Sequence, residues 1–294
     1  MGRWPNLETA VTSSGDFWKG KGINYRISPE NAGCLTAANI DCCSLANNHT
    51  LDWGRAGLEE TLATLKKAGI KCAGAGMDME KARCPAIFDA CKTRVLVYGF
   101  GSETSGIPES WAARKYLPGI NLLPDLSTDT ARAIGAEVSK QKEKGDITIA
   151  SIHWGGNWGY EIPREQIDFA HHLIDEAGMD MIHGHSSHHV KGIEVYKGKL
   201  ILYGCGDFIN DYEGIGGYEE FAPGIGLAYF ASLEQETGNL LKLEMIPTRV
   251  RRFRVERAPN EDALRLKDIL NREGQTFGAH VETHEGKLAL EWRK

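Results

Sequence analysis

The sequence lacks the features that mark several large protein classes. No apolar run approaches the ~20 residues that a membrane-spanning helix needs, and mean hydropathy is −0.35. Basic residues are not in excess: 34 Lys and Arg stand against 40 Asp and Glu. The formal net charge of −6 and a pI near 6.0 exclude the basic footprint of a general nucleic-acid binder. An anionic substrate stays open, because a metal or a local patch can reverse the field inside a cleft. None of the seven cysteines (Cys34, Cys42, Cys43, Cys72, Cys84, Cys91 and Cys205) is spaced as CxxC. That removes the zinc-ribbon signature and, with the odd count, reads as reduced thiols in a reducing compartment. The opening Met1-Gly2-Arg3-Trp4-Pro5 carries no basic segment followed by an apolar one. No signal peptide is read, and a cytoplasmic location is expected for the chain as given. Phosphate-binding P-loops, GxGxxG fingerprints and GxSxG elbows are all missing.

What remains is ordinary for a globular protein: 41% hydrophobic and 25% charged residues. No repeat, low-complexity tract or linker divides the 294 residues, so a single domain is expected over 1–294, with a β-rich part at 225–294. Apolar strands are predicted at 40–46, 70–73, 94–100, 146–153, 180–183, 192–196 and 200–203. Helices are predicted at 54–68, 128–144, 164–178 and 261–271. Leu58, Leu62 and Leu65 line one face of the first helix, and Gly69 is placed to stop it. Gly74-Ala75-Gly76 reads as a turn, 101–124 as a loop carrying Trp111 and Tyr116, and the end as a charged tail. Strands alternating with helices, then a run of strands, predict an α/β fold of two mixed sheet layers flanked by helices.

Histidine is the informative residue. Seven of the ten lie between His153 and His189. His153 ends one strand and is followed by Trp154-Gly155-Gly156; His183, His185, His188 and His189 surround the end of the next. Asn47-Asn48-His49 ends an earlier strand. Loops after strand carboxyl ends carry the ligand site in α/β sheets, so these segments are expected at one rim. Neutral imidazole beside amide and carboxylate oxygen suits Zn, Mn or Fe. Gly184 is expected to provide the turn that brings His185 and His188 together. His171 and His172 lie on a helix and His280 and His284 in the tail, where packing or solvent suffices. Asp207 and Asp211 sit after strand 200–203. Cys205 has no evident activating partner.

Taken in order, Asn6-Leu7-Glu8-Thr9, Leu45 through Gly54, Gly74-Ala75-Gly76, His153-Trp154-Gly155, Gly184-His185-Ser186-Ser187-His188 and Tyr203 through Phe208 resemble the CapA family. These are bacterial proteins named for poly-γ-glutamate capsule synthesis and look like a branch of the calcineurin-like metallophosphoesterases. The resemblance implies a four-layer αββα sandwich. It implies Asn48, His153, His185 and His188 as metal ligands for one or two divalent ions (Mn, Zn or Fe), His49 as a general acid, and Glu8 as a bridging carboxylate. It also departs from the pattern. The Asp-x-His or Gly-Asp opening strand of the relatives has no counterpart before Asn6, the final histidine pair is spaced i, i+3, and Asp207 stands where many relatives carry Asn.

Three functions follow. The first is metal-assisted hydrolysis or transfer on a peptide-like, polyglutamate-like or phosphate-containing substrate, with His49, Asp207 and Glu8 catalytic. Asn47, Asp52, Trp154, Trp158 and Ser186 would contact the substrate, with Tyr160 as a further stacking ring. The second is a metal-independent peptide epimerase or isomerase using Glu8, His49, His185 and the Asp207 region as acid and base. The third is a non-catalytic capsule-assembly or binding protein. Partners are expected to be anionic small molecules or polymers, with no nucleic acid; the oligomeric state is left open.

Overall fold

The computed structural model describes residues 1–210 and 215–293. They form a mixed α/β protein with several sheets of mixed direction, and fall into two compact units. The first comprises Met1–Leu126 with Ala136–Trp154; the second comprises residues 127–135 and everything described from 155 onward. Among the described residues no helix is long and apolar enough to cross a membrane.

In the first unit the strand Thr93–Gly101 runs antiparallel to Ala86–Ala90 and parallel to Ile147–His153. Every residue of Ile147–His153 is buried, as the continuous apolar run requires. The parallel register pairs Gly101 with His153 and so fixes the histidine at a strand end. Cys42–Ser44 pairs in parallel with Lys71–Ala73, and an isolated bridge joins Asn6 to Ser44. The helix Gly54–Lys67 between them buries Leu58 and Leu65. It ends as the sequence predicts. Gly69 adopts φ +76°, its N–H donates to Lys66 O, and Ile70 N–H donates to Leu65 O, a Schellman closure. Leu45, Leu51, Leu58, Leu65, Trp111 and Ile120 share one core cluster, each aliphatic side chain contributing about 1.5–3 kcal/mol on burial. Trp111, read from the sequence only as part of a loop, is therefore core; Trp18 meets it edge-on at 5.5 Å. Tyr116 is exposed.

Two glycines set the spacing beneath the Asn47-Asn48-His49 turn. A Cβ on Gly99 would lie 2.7 Å from Gly74 Cα and from the Ala73 carbonyl carbon. Only two glycines permit that backbone approach. The segment read as a Gly74-Ala75-Gly76 turn is in part a short strand, Ala75–Gly76, paired with Gly119–Ile120.

In the second unit Met181–His185 runs parallel to Lys199–Leu202, which is antiparallel to Ile193–Tyr196. The C-terminal sheet has the order Ile225–Leu233, Leu240–Arg251, Lys287–Trp292, Ala279–His284, with Arg254–Arg257 also on Leu240–Arg251. The charged tail is thus a hairpin. Val281, Leu288 and Leu290 are buried while charges occupy the outer face, and Glu285 and Gly286 turn with positive φ. The helix Thr128–Val138 is shorter than the predicted 128–144, because beyond Val138 the sequence Ser-Lys-Gln-Lys-Glu-Lys offers no apolar face.

Candidate functional site

The first unit gathers Glu8, Asn48, His49 and His153 from three distant segments. Parallel pairing of Asn6 with Ser44 lays the Glu8 segment beside the strand that ends in the Asn47-Asn48-His49 turn. Asn47 holds that turn together. It is fully buried; its Nδ2 donates to Asn6 Oδ1 and Leu7 O, both at 2.9 Å, and its Oδ1 accepts from His49 N and Thr50 Oγ1, both at 3.0 Å. An amide relay follows, because Asn6 Nδ2 donates to Glu8 Oε2 at 2.9 Å. Asn47, expected at the substrate, is therefore placed where it positions Glu8 and His49. His153, with no exposed surface, brings Nε2 to 3.1 Å from Asn48 Oδ1 and 3.8 Å from Glu8 Oε1. Its carbonyl accepts from Ser102 N and Ser105 Oγ, which pins the strand end.

Next to this cluster, His49 Nδ1 lies 2.6 Å from Asp52 Oδ2. Asp52 is completely buried, and it also accepts from Tyr25 N at 2.7 Å and Lys21 Nζ at 2.6 Å. Asp52 thus orients His49, and the helix start after it has no side-chain cap. Lys21 Nζ also lies 3.1 Å from His49 Nδ1 and bonds the Asn48 carbonyl. Burial lowers the Lys21 pKa against the pull of Asp52 and Glu8. Tyr25 stacks on the His49 ring at 4.1 Å. Lys21 and Tyr25 escape sequence reading: they lie in a Gly- and Lys-rich loop with no periodicity, and only the fold carries them to His49.

The second unit holds the other histidines. His188 Nδ1 lies 3.0 and 3.1 Å from the two Asp207 oxygens, and Asn210 Nδ2 donates to the same carboxylate. Asp207 thereby fixes the ring with Nδ1 as donor, as carboxylates do for many metal-ligating histidines. Trp158 stacks flat on Tyr218 at 4.0 Å with its ring centre 5.3 Å from His188. Tyr160 meets His189 edge-on and carries Arg272 above its ring. His185 is buried, with its ring 5.2 Å from His183, whose pKa burial pushes down to about 4. The turn between His185 and His188 is not made by Gly184, which lies inside Met181–His185. It falls at Ser186, whose φ is +119° and whose Oγ donates to Gly155 O at 2.9 Å. Trp154 is buried. His171 bonds Glu194 and His172 bonds Thr128, both as packing residues. Burial pushes the Cys205 thiol up to about 12, which removes it as a nucleophile. Asp211 lies outside the described residues.

These donors suit a divalent ion in part. Ligand atoms around a metal at about 2.1 Å sit roughly 3.0–3.4 Å apart, and the Asn48, His153 and Glu8 atoms are spaced at 3.1 and 3.8 Å. The set depends on an amide oxygen: among the described residues no group of three or more His, Cys, Asp or Glu side chains is placed to hold an ion.

Residues 3–212 match the family described as Bacterial capsule synthesis protein PGA_cap. A probable polyglutamine synthesis accessory protein of Mycobacterium tuberculosis is 47% identical over 285 residues, covering 96% of this chain and 75% of that protein. The PGA biosynthesis protein CapA of Bacillus subtilis is 30% identical over 208 residues, 70% of this chain and 52% of that protein. The capsule biosynthesis protein CapA of Bacillus anthracis is 28% identical over 192 residues. Glu8, Asn48, His49, His153, His185, His188 and Asp207 all fall within the matched span, and the chain belongs to the PGA_cap family of CapA-like capsule and polyglutamate synthesis proteins.

Proposed function

We propose that the protein is a CapA-type enzyme that hydrolyses or transfers a peptide-like, polyglutamate-like substrate with the help of a divalent cation, on a four-layer αββα metallophosphoesterase-like scaffold. The observation that carries the reading is the meeting of Glu8, Asn48 and His153 beside the His49–Asp52 pair. In this reading Asn48, His153 and Glu8 hold a cation in the first unit, and His185 and His188 are ligands within the second. A bound cation of this kind polarises a carbonyl or phosphoryl oxygen and supplies hydroxide near neutral pH. The protein's own groups do the rest. The Asn47–Asn6 relay keeps the Glu8 carboxylate facing His153. Asp52 holds the proton-bearing ring of His49 in one orientation for proton delivery to the leaving atom. Trp158 offers a flat surface beside His188.

The test is metal content and turnover of a poly-γ-glutamate chain by protein purified with and without Mn²⁺ or Zn²⁺. His153→Ala is expected to weaken metal binding at least tenfold and abolish turnover. Full activity in both His153→Ala and His185→Ala overturns the proposal. Solvent deuterium entering the peptide in metal-free buffer replaces it with acid–base epimerisation, and tight binding without turnover replaces it with a capsule-assembly role.

A further inference from the structure

The first unit carries a cleft lined by none of the candidate-site residues. Its volume is about 330 Å³, and it is bounded by Leu62 and Lys66 at the end of the helix Gly54–Lys67, by Ile70 and Lys71, by Met77, and by Lys81 of the short helix Met79–Arg83. Gly69, Cys72, Ala75 and Gly76 complete the lining, which contains no acidic residue. All three lysines are exposed. Among the described residues Lys66 and Lys71 make no ion pair, and Lys81 has only the exposed Glu80 at 4.0 Å. The floor is apolar: Ile70 is buried, and Met77 stays 46% exposed. The Cys72 thiol is held protonated by burial and adds no charge.

Lys66 and Lys71 without an ion pair, and Lys81 with only a long, exposed contact to Glu80, ring an apolar floor on a chain of net charge −6 and form a local attractor for anions. A compact anion such as phosphate would leave the floor uncovered. A nucleic acid would want aromatic surfaces to stack on, and none line the cleft. We propose that this cleft binds a flexible polycarboxylate peptide, with carboxylates on Lys66, Lys71 and Lys81 and methylene stems on Leu62, Ile70 and Met77. The site is a holding subsite separate from the His49 cluster. It rests on the functional reading only for the identity of the chain, because the charge and the floor specify the chemistry.

The experiment is fluorescence anisotropy of a labelled poly-γ-glutamate of about 20 residues, titrated with the 294-residue protein at low and at moderate salt. The triple variant Lys66→Gln, Lys71→Gln, Lys81→Gln is expected to weaken binding at least tenfold. A charge-matched control, Lys92→Gln, Lys115→Gln, Lys144→Gln, should change it less than twofold. Met77→Glu, at a position 46% exposed on the floor, should weaken binding several-fold. Each ion pair is exposed, so affinity must fall as salt rises. Equal weakening by both triple variants, no binding by the wild type, or an oligonucleotide bound as tightly as the peptide overturns the proposal. The lysine variant is expected to keep the metal binding that His153→Ala loses. Loss of turnover alone therefore bears on the catalytic reading, and loss of binding in the lysine variant alone bears on the cleft.

Discussion

Asp52 and His49 form a pair closed off from water on the carboxylate side: Oδ2 lies 2.6 Å from Nδ1, and the Asp52 side chain has no exposed surface. Its other oxygen accepts from Lys21, so one buried carboxylate serves an imidazole and a cation at once. Asp52→Asn keeps the shape and removes the charge. The half-buried Lys21 then loses its counter-charge, and unfolding free energy should fall by about 3 kcal/mol. Adding Lys21→Met should restore part of it, seen as a non-additive double-mutant cycle in urea denaturation. Strict additivity would show that the two side chains do not act as a unit. If His49 delivers a proton, Asp52→Asn should also lower turnover by roughly 10²–10⁴-fold.

Gly99 is the packing counterpart of that pair, since it lets the strand Thr93–Gly101 come close to Gly74 beneath the Asn47-Asn48-His49 turn. A methyl group there meets backbone atoms at 2.7 Å, and backbone cannot swing aside as a flexible side chain does. Gly99→Ala is expected to cost about 2–4 kcal/mol. Gly15→Ala, where an added Cβ meets nothing within 4 Å, is the control and should change stability by less than about 0.5 kcal/mol. Comparable denaturation midpoints for the two variants would remove this close approach from the account of how the turn is held.

The sequence made the first half of the α/β alternation legible because its signals are local. Leucines at helical spacing end at a glycine that does close the helix, and apolar runs such as 146–153 are buried along their whole length. Histidines at strand ends were legible for the same reason. The C-terminal hairpin was hidden because charges on its outer face mask the alternation of Val281, Leu288 and Leu290. Lys21 and Tyr25 were hidden more deeply. Their positions come from Asp52 accepting both a side-chain and a backbone donor across 27 and 31 residues, a long-range bond with no periodic trace. The substrate contacts expected of Asn47 and Asp52 rest on the same kind of signal. Both are polar residues in a motif, and only burial reveals that they act on neighbouring groups.

Ser186 is a case where a serine occupies backbone space that favours glycine. Its φ of +119° is compensated by packing and by the Oγ bond to Gly155 O. Such a conformation costs of order 1–3 kcal/mol. Ser186→Ala and Ser186→Gly both lose the hydroxyl, but only glycine relieves the strain. The glycine variant should therefore be the more stable by about 1 kcal/mol, in spite of its greater unfolded-state entropy. If alanine proves equal or better in chemical denaturation, the turn between His185 and His188 is not strained.

The Arg94–Asp146 pair sets an acid limit on the first unit. Arg94 Nε donates to Asp146 Oδ1 at 2.9 Å and Nη2 to Oδ2 at 2.5 Å, and Glu143 N donates to the same carboxylate. The Arg94 hydrogen bonds, aided by the Glu143 N–H, hold the Asp146 pKa below the usual carboxylate value in spite of burial. A carboxyl depressed on folding binds its proton more readily in the unfolded chain, whose value is about 3.9. Its stabilisation is thus fully present above that value and drains away as pH falls through the folded pKa. Asp146→Asn should lower unfolding free energy by about 1–3 kcal/mol at pH 7. The gap between variant and wild type should stay constant from pH 7 to about 5 and narrow below about pH 4. A gap that widens on acidification would mean that the folded carboxyl binds its proton more tightly than the unfolded one, against the geometry of the pair.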